Sequence, residues 1–313
     1  VKQGALRREA VLLLLLFAEM AAMHSLSPLF LTPDNLIEVL RQSAEIGLIA
    51  LAMTLVIITA GIDLSVGSIV GLSAMMMGML WEDARLPLSF AVPLSLIAGA
   101  LLGAFNGILV TAVGIPPLIV TLATMAGFRG MALGVSQARS IRNFPENFLW
   151  LGQGYVAGVP VQVWILAAAA VLFHLALTRT AWGRSVFSIG ANEAAARLSG
   201  VPVHLVKTQV YALSGFMSAL AAVVYAAHVS VAKPDAGLGF ELTAITAVVL
   251  GGTAVSGGEG GVLGTLIALL MVGFLRSGLT LARVPSEAQD MMVGLLLIAV
   301  VAIDRWSRQA GEE

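Results

Sequence analysis

Gly61-Ile62-Asp63-Leu64-Ser65-Val66-Gly67 interrupts two long apolar runs, AEIGLIALAMTLVIITA at 44–60 and VGSIVGLSAMMMGML at 66–80. Both runs are apolar enough to sit in a bilayer. A carboxylate held between glycines in such a setting is costly unless it faces water, protein or a partner. Membrane solubility combined with a placed polar break points to transport and fits a lipid-anchored enzyme poorly.

The rest of the composition extends that reading. Of 313 residues, 58% are hydrophobic and 11% charged, with a mean hydropathy of +0.95. Soluble domains average about 25% charged residues, so the surface cannot be mainly aqueous and the chain is integral to a membrane. A net charge of −1 offers no basic field for nucleic acid. The absence of cysteine excludes disulfides, thiolate catalysis and Cys-ligated metals. His24, His174, His204 and His228 lie far apart and lack the i, i+4 spacing of a helical metal site. The 33 glycines suit close helix packing in lipid. No paired carboxylates, Ser/His pair or metal set is placed for intramembrane catalysis, so the chain is not expected to be an enzyme.

A span needs about 20 apolar residues, fewer inside a bundle. Spans are therefore expected near 10–27, 44–60, 66–81, 90–113, 117–136, 163–178, 208–230, 242–256, 261–282 and 288–304. The fold class is all-α, a bundle of about ten spans forming one permease domain over 1–313. The basic N-terminal stretch with its apolar run reads as an uncleaved first span rather than a signal peptide. Lys2, Arg7, Arg8, Arg305 and Arg308 place both termini in the cytoplasm, as an even count permits. Residues 178–207, with Arg179, Arg184, Arg197 and Lys207, fall inside. Residues 137–162 fall outside as an irregular, Gly/Pro/Asn-rich loop, with Arg139 and Arg142 a mild exception. Residues 55–76 and 247–270 each read as an apolar run, a Gly/Ser/acidic break and a second apolar run. They are expected to be parallel repeats, a common origin of transporter halves.

Five residues are candidates for a translocation path: Asp63, Ser65, Asn106, Thr253 and Glu259. Asp63 either organises the backbone or faces a polar substrate from a kinked, cavity-lining stretch, or it caps the following helix, a role that Ser65 could share. Asn106 follows a GxxxG face at Gly99 and Gly103, so it partners another helix or contacts cargo. Glu259 sits in a Gly-rich break, 251–261, as the counterpart of Asp63. That break lacks the Gly-Lys-Ser/Thr ending of a phosphate loop, so no nucleotide site is expected there. Arg129, inside an apolar run, either snorkels or pairs. In Gly190–Pro202, Asn192 caps a short helix carrying Glu193 and Arg197, and Ser199-Gly200 ends it before Pro202. Start and stop signals around a charged helix between two spans suggest an element held by another protein, in preference to a plain connector.

The stretches GIDLSVGSIVGLSA, GANEAAARLSGVP and AITAVVLGGTAVSGGEGGVLGT resemble permease subunits of ABC importers for simple sugars, the ribose-type relatives that include rhamnose and autoinducer-2 permeases. The resemblance runs from about residue 30 to the end. It implies a protein of the bacterial inner membrane that binds no cofactor itself. It further implies a second permease copy or homologue, a cytoplasmic ATPase that hydrolyses ATP, and an extracytoplasmic solute-binding protein. Asn192, Glu193, Arg197, Ser199 and Gly200 then fall in the segment that docks on the ATPase. The alternative from the residues alone is an ion-coupled secondary transporter using Asp63 or Glu259.

Overall fold

Proline and glycine punctuation sets where the helices start and stop. The computed structural model describes residues 2–309, with side chains over 9–302 apart from residue 300. The side chains of Lys2, Arg7, Arg8, Arg305 and Arg308, which carry part of the expected orientation, lie outside the described residues. Helices α1 (Lys2–Leu26), α2 (Pro33–Ile58), α3 (Val66–Glu82), α4 (Leu88–Thr111) and α5 (Pro117–Ser136) come first. Helix α6 (Glu146–Gln153) and an antiparallel hairpin of β1 (Tyr155–Val156) and β2 (Val159–Pro160) follow. Helices α7 (Val161–Arg179), α8 (Ala181–Ala191), α9 (Glu193–Leu198) and α10 (Val203–Val229) come next, then α11 (Phe240–Leu250), α12 (Val262–Leu281) and α13 (Ser286–Gln309). Proline occupies the first turn of α2 and α5, where its missing N–H leaves no bond unmade. At the end of α2, Gly61 N donates to Val56 O and Ala60 N to Ile57 O, with Ala60 left-handed at φ +56°. This is a Schellman stop with alanine where glycine is usual.

The architecture is an all-α polytopic bundle. Among the described residues, α1, α2, α4, α5, α7, α10 and α12 are long and apolar enough to cross a membrane, and α3 and α11 are shorter apolar helices. Helix α2 is the axle: Leu48 through Ile58 are buried on every side, as expected of a helix that is apolar all round. Large apolar side chains on α1, α4, α5 and α7, such as Phe17, Leu101, Leu122 and Leu172, face outward. The closest pairing is α4 with α10. A Cβ on Gly103 would strike the Tyr211 carbonyl, and one on Gly107 would meet Thr208 Cα at 2.7 Å. The expected small-residue face therefore packs as read, with Gly215 answering from α10.

Three expectations need correction. Helix α2 begins at Pro33, eleven residues before the apolar run, because polar residues in that extension find partners: Asn35 donates to the Phe30 carbonyl and accepts from Ser277 Oγ (2.8 Å each), and Arg41 donates to the Gly152 and Gln153 carbonyls (3.3 Å each). The 137–162 connection is not irregular throughout but holds α6 and the β1–β2 hairpin. The span expected at 242–256 is a half-helix: the eleven residues of α11 rise only about 16 Å against a core of about 30 Å.

Candidate functional site

Asp63 is fully buried. Oδ1 accepts from the Ser65 backbone N (3.0 Å) and Ser65 Oγ (2.7 Å), while Oδ2 accepts from Ser214 Oγ on α10 (2.8 Å). Asn106 Nδ2 on α4 donates to Ser65 Oγ at 2.8 Å. Thr121 on α5 and Tyr211 on α10 both donate to the Ile62 carbonyl, at 3.2 and 3.4 Å. The break between α2 and α3 is thus a polar knot that ties five helices and satisfies backbone that could not otherwise sit in hydrocarbon. Asp63 shapes backbone at the start of α3. Ser65 makes no side-chain cap of its own there. Asn106 Oδ1 is buried without a hydrogen-bond partner among the described residues.

The other two path candidates lie apart from this knot. Thr253 is buried in the 251–261 break, its Oγ1 lacking a hydrogen-bond partner among the described residues. Glu259 is exposed, so it does not match Asp63 in environment, although its carbonyl accepts from Ala254 N at 3.0 Å. The two breaks nonetheless touch. Gly258 N donates to Ile58 O at 2.9 Å, and a Cβ on Gly257 would meet Ala60 N at 3.0 Å. Gly190, near the end of α8, has no room for a Cβ against the same Ile58 carbonyl. Break, break and elbow therefore meet at one end of the bundle. A cavity of about 660 Å³ between α3, α4 and α5, walled by Leu72, Met76, Leu101 and Met131, is a separate feature: the knot does not line it.

The elbow at 180–202 is built as its sequence signals require. Thr180 Oγ1 caps α8 by accepting from Gly183 N at 3.0 Å, and Asn192 Oδ1 caps α9 by accepting from Ala195 N at 2.9 Å. Glu193 pairs with Arg197 (3.1 Å) and with Lys207 at the root of α10 (3.0 Å). Burial pushes the Glu193 carboxyl up, but Lys207 and then Arg197 outweigh it and hold the group below its ordinary value. Ser199 Oγ donates to the Ala195 carbonyl at 2.9 Å, and Gly200 turns the chain at φ +81°. Sequence reasoning overlooked α8 and Leu198. The Leu198 side chain is 91% exposed, a bare apolar knob at the tip of a charged element.

Arg129 neither snorkels nor forms an ion pair with a described residue; it clasps backbone. Its Nη1 donates to the carbonyls of Pro234 (2.6 Å) and Ala236 (3.0 Å), and its Nη2 to that of Gly67 (3.0 Å). The clasped segment, 230–239, is non-helical. Pro234 supplies no donor, Gly237 and Gly239 are left-handed (φ +75° and +81°), and successive tight turns lead into α11. It enters beside Ile141, to which Ala232 is bridged, and descends along α3. A Cβ on Gly78 would meet Ala232, one on Gly71 the Pro234 carbonyl, and one on Gly67 the Gly237 carbonyl and Glu241. Sequence reasoning left 231–241 as a connection between spans. Pro and Gly before an unusually short apolar run were the missed sign of a broken helix.

Comparison with known proteins places this architecture. The chain is 43% identical to the ribose import permease protein RbsC of Bacillus subtilis over 93% of its own length and 90% of the relative's. It is 39% identical to RbsC of Haemophilus influenzae over 91% and 90%. It is 42% identical to the autoinducer 2 import system permease protein LsrD of Yersinia enterocolitica over 82% and 79%. No solved structure matches it significantly. A family model described as branched-chain amino acid transport system / permease component matches residues 35–301. With a multi-pass bundle, half-helix α11 and that match over most of its length, the chain belongs to this family of transport-system permease components.

Proposed function

We propose that this chain is the membrane-spanning subunit of an ATP-driven ABC importer and moves a neutral sugar or sugar-like solute across the bacterial inner membrane. Near end-to-end similarity to ribose permeases carries the reading. The family description names branched-chain amino acids, but the three relatives are named for ribose and autoinducer 2. The chain is a single permease domain that pairs with a second copy or homologue. It binds no cofactor, and a cytoplasmic ATPase supplies the energy. An extracytoplasmic binding protein delivers the solute. Both termini are cytoplasmic, on the side of the 180–202 elbow. Asn192, Glu193, Arg197, Ser199 and Gly200 shape that elbow for the ATPase, and exposed Leu198 is its apolar anchor. Asp63, Ser65 and Asn106 position the path's wall from behind, whereas Thr253 and Glu259 stand at its inner end. The ion-coupled alternative gains nothing from Asp63, whose carboxylate is enclosed by serine and backbone donors.

The test is uptake into proteoliposomes holding the chain with its ATPase and binding protein. Solute should enter only with ATP on the ATPase side, and proton or sodium gradients alone should drive none. Gradient-driven uptake by the chain without an ATPase would overturn the proposal.

A further inference from the structure

Arg129 lies twelve residues beyond Pro117 in the 20-residue α5, about 18 Å along a helix of about 30 Å. The carbonyls it holds, Pro234 and Ala236, are therefore near the middle of the bilayer rather than at its edge. Between them, Asp235 is exposed, and Leu238 is 74% exposed just beyond. Lys233 is partly exposed beside them. Irregular backbone and an outward-facing carboxylate do not occur against lipid tails at this depth. They are tolerated only in protein or beside water. The inner side of the segment is accounted for by α3 and Arg129, so its outer side meets something other than lipid.

We propose that the face formed by Lys233, Asp235, Leu238 and Gly239 is a wetted wall of the solute path at mid-membrane. The inference rests on the function proposed above, in which a second permease copy encloses the opposite side. Lys233 and Asp235 offer one donor group and one acceptor group of opposite charge. Such a pair hydrogen-bonds hydroxyl groups while presenting no net charge, which suits a neutral polyhydroxylated solute. Arg129 is a positioning residue here: it fixes the backbone that carries the wall and faces it from behind.

The chain contains no cysteine, so single thiols report directly. Asp235→Cys and Leu238→Cys are introduced separately into the assembled complex in lipid nanodiscs and exposed to a charged, membrane-impermeant methanethiosulfonate. Ile97→Cys, nine residues beyond Leu88 on the outward face of α4 and clear of the α3–α4–α5 cavity, serves as the lipid-facing control at similar depth. At least one of the two thiols should react no less than fivefold faster than the control. If both fall below that ratio, the wall is lipid- or protein-covered and the proposal is overturned. Sugar-stimulated ATP hydrolysis of the same preparations is read in parallel. Fast labelling without stimulation removes the importer reading and leaves the wetted wall standing, whereas stimulation without labelling does the reverse.

Discussion

Replacing Arg129 with methionine removes the clasp while keeping much of the side-chain volume. Three carbonyls, of Gly67, Pro234 and Ala236, lose a charged donor. Hydrogen bonds to charged groups contribute about 1.5–3 kcal/mol each, which sets a ceiling of about 5–9 kcal/mol for the three. Two effects reduce it. The half-buried guanidinium no longer has to be desolvated, and water on the outer face of 230–239 can reach part of the freed backbone. A net loss of about 3–5 kcal/mol remains, and lysine, a point donor that cannot span three carbonyls, should recover about one bond of the three. At about 2 °C per kcal/mol, Arg129→Met should lower the unfolding midpoint of the purified protein by about 6–10 °C, with Arg129→Lys in between. Size-exclusion after stepwise heating measures this. An Arg129→Met protein melting within 2 °C of the parent would refute the idea that this residue holds the broken helix together.

Leu198→Asp should weaken ATPase association by about 30-fold, equivalent to a hot spot of about 2 kcal/mol, without shifting the melting point; an unchanged affinity in a pull-down titration would strip Leu198 of its role. Gly103→Leu should cost more than about 3 kcal/mol, since even its Cβ collides with the Tyr211 carbonyl, and near-parental yield and melting behaviour would contradict the α4–α10 packing. The Glu193 carboxyl is held below the ordinary glutamate value of 4.5 by Lys207 and Arg197. Its contribution to elbow stability is therefore complete above about pH 4.5 and is lost as pH falls through the lowered folded value. Glu193→Gln should flatten that acid limb in hydrogen exchange of 193–200, and an identical limb in both proteins would assign the acid sensitivity elsewhere.

Much of the bundle was legible because bilayer spans are read from composition. Ten apolar runs each find a helix, and the Gly99/Gly103 face packs where its spacing says it must. The Asn192-to-Gly200 helix was legible for a different reason, since caps and stops are local chemistry that tertiary contacts rarely override. Depth was not legible. VAKPDAGLGF reads as a polar connector, and the groups that hold it along the bundle, Arg129 and the glycines of α3, lie far away in sequence. The same blindness made Glu259 look like Asp63: the two breaks share composition, yet one carboxylate is sealed inside the bundle and the other is exposed. Leu198 escaped notice because exposure depends on which face of α9 turns outward, a property that six residues do not encode.

Every functional role assigned above depends on the chain working as the membrane half of an ATP-driven sugar importer. ATP hydrolysis by the complex captured through a tag on this chain, in nanodiscs, titrated with binding protein with and without sugar, decides the matter. An ATPase should co-purify, and sugar-loaded binding protein should raise its turnover. A folded, monodisperse chain that retains no ATPase, or a complex whose turnover ignores the sugar-loaded protein, would contradict the importer reading.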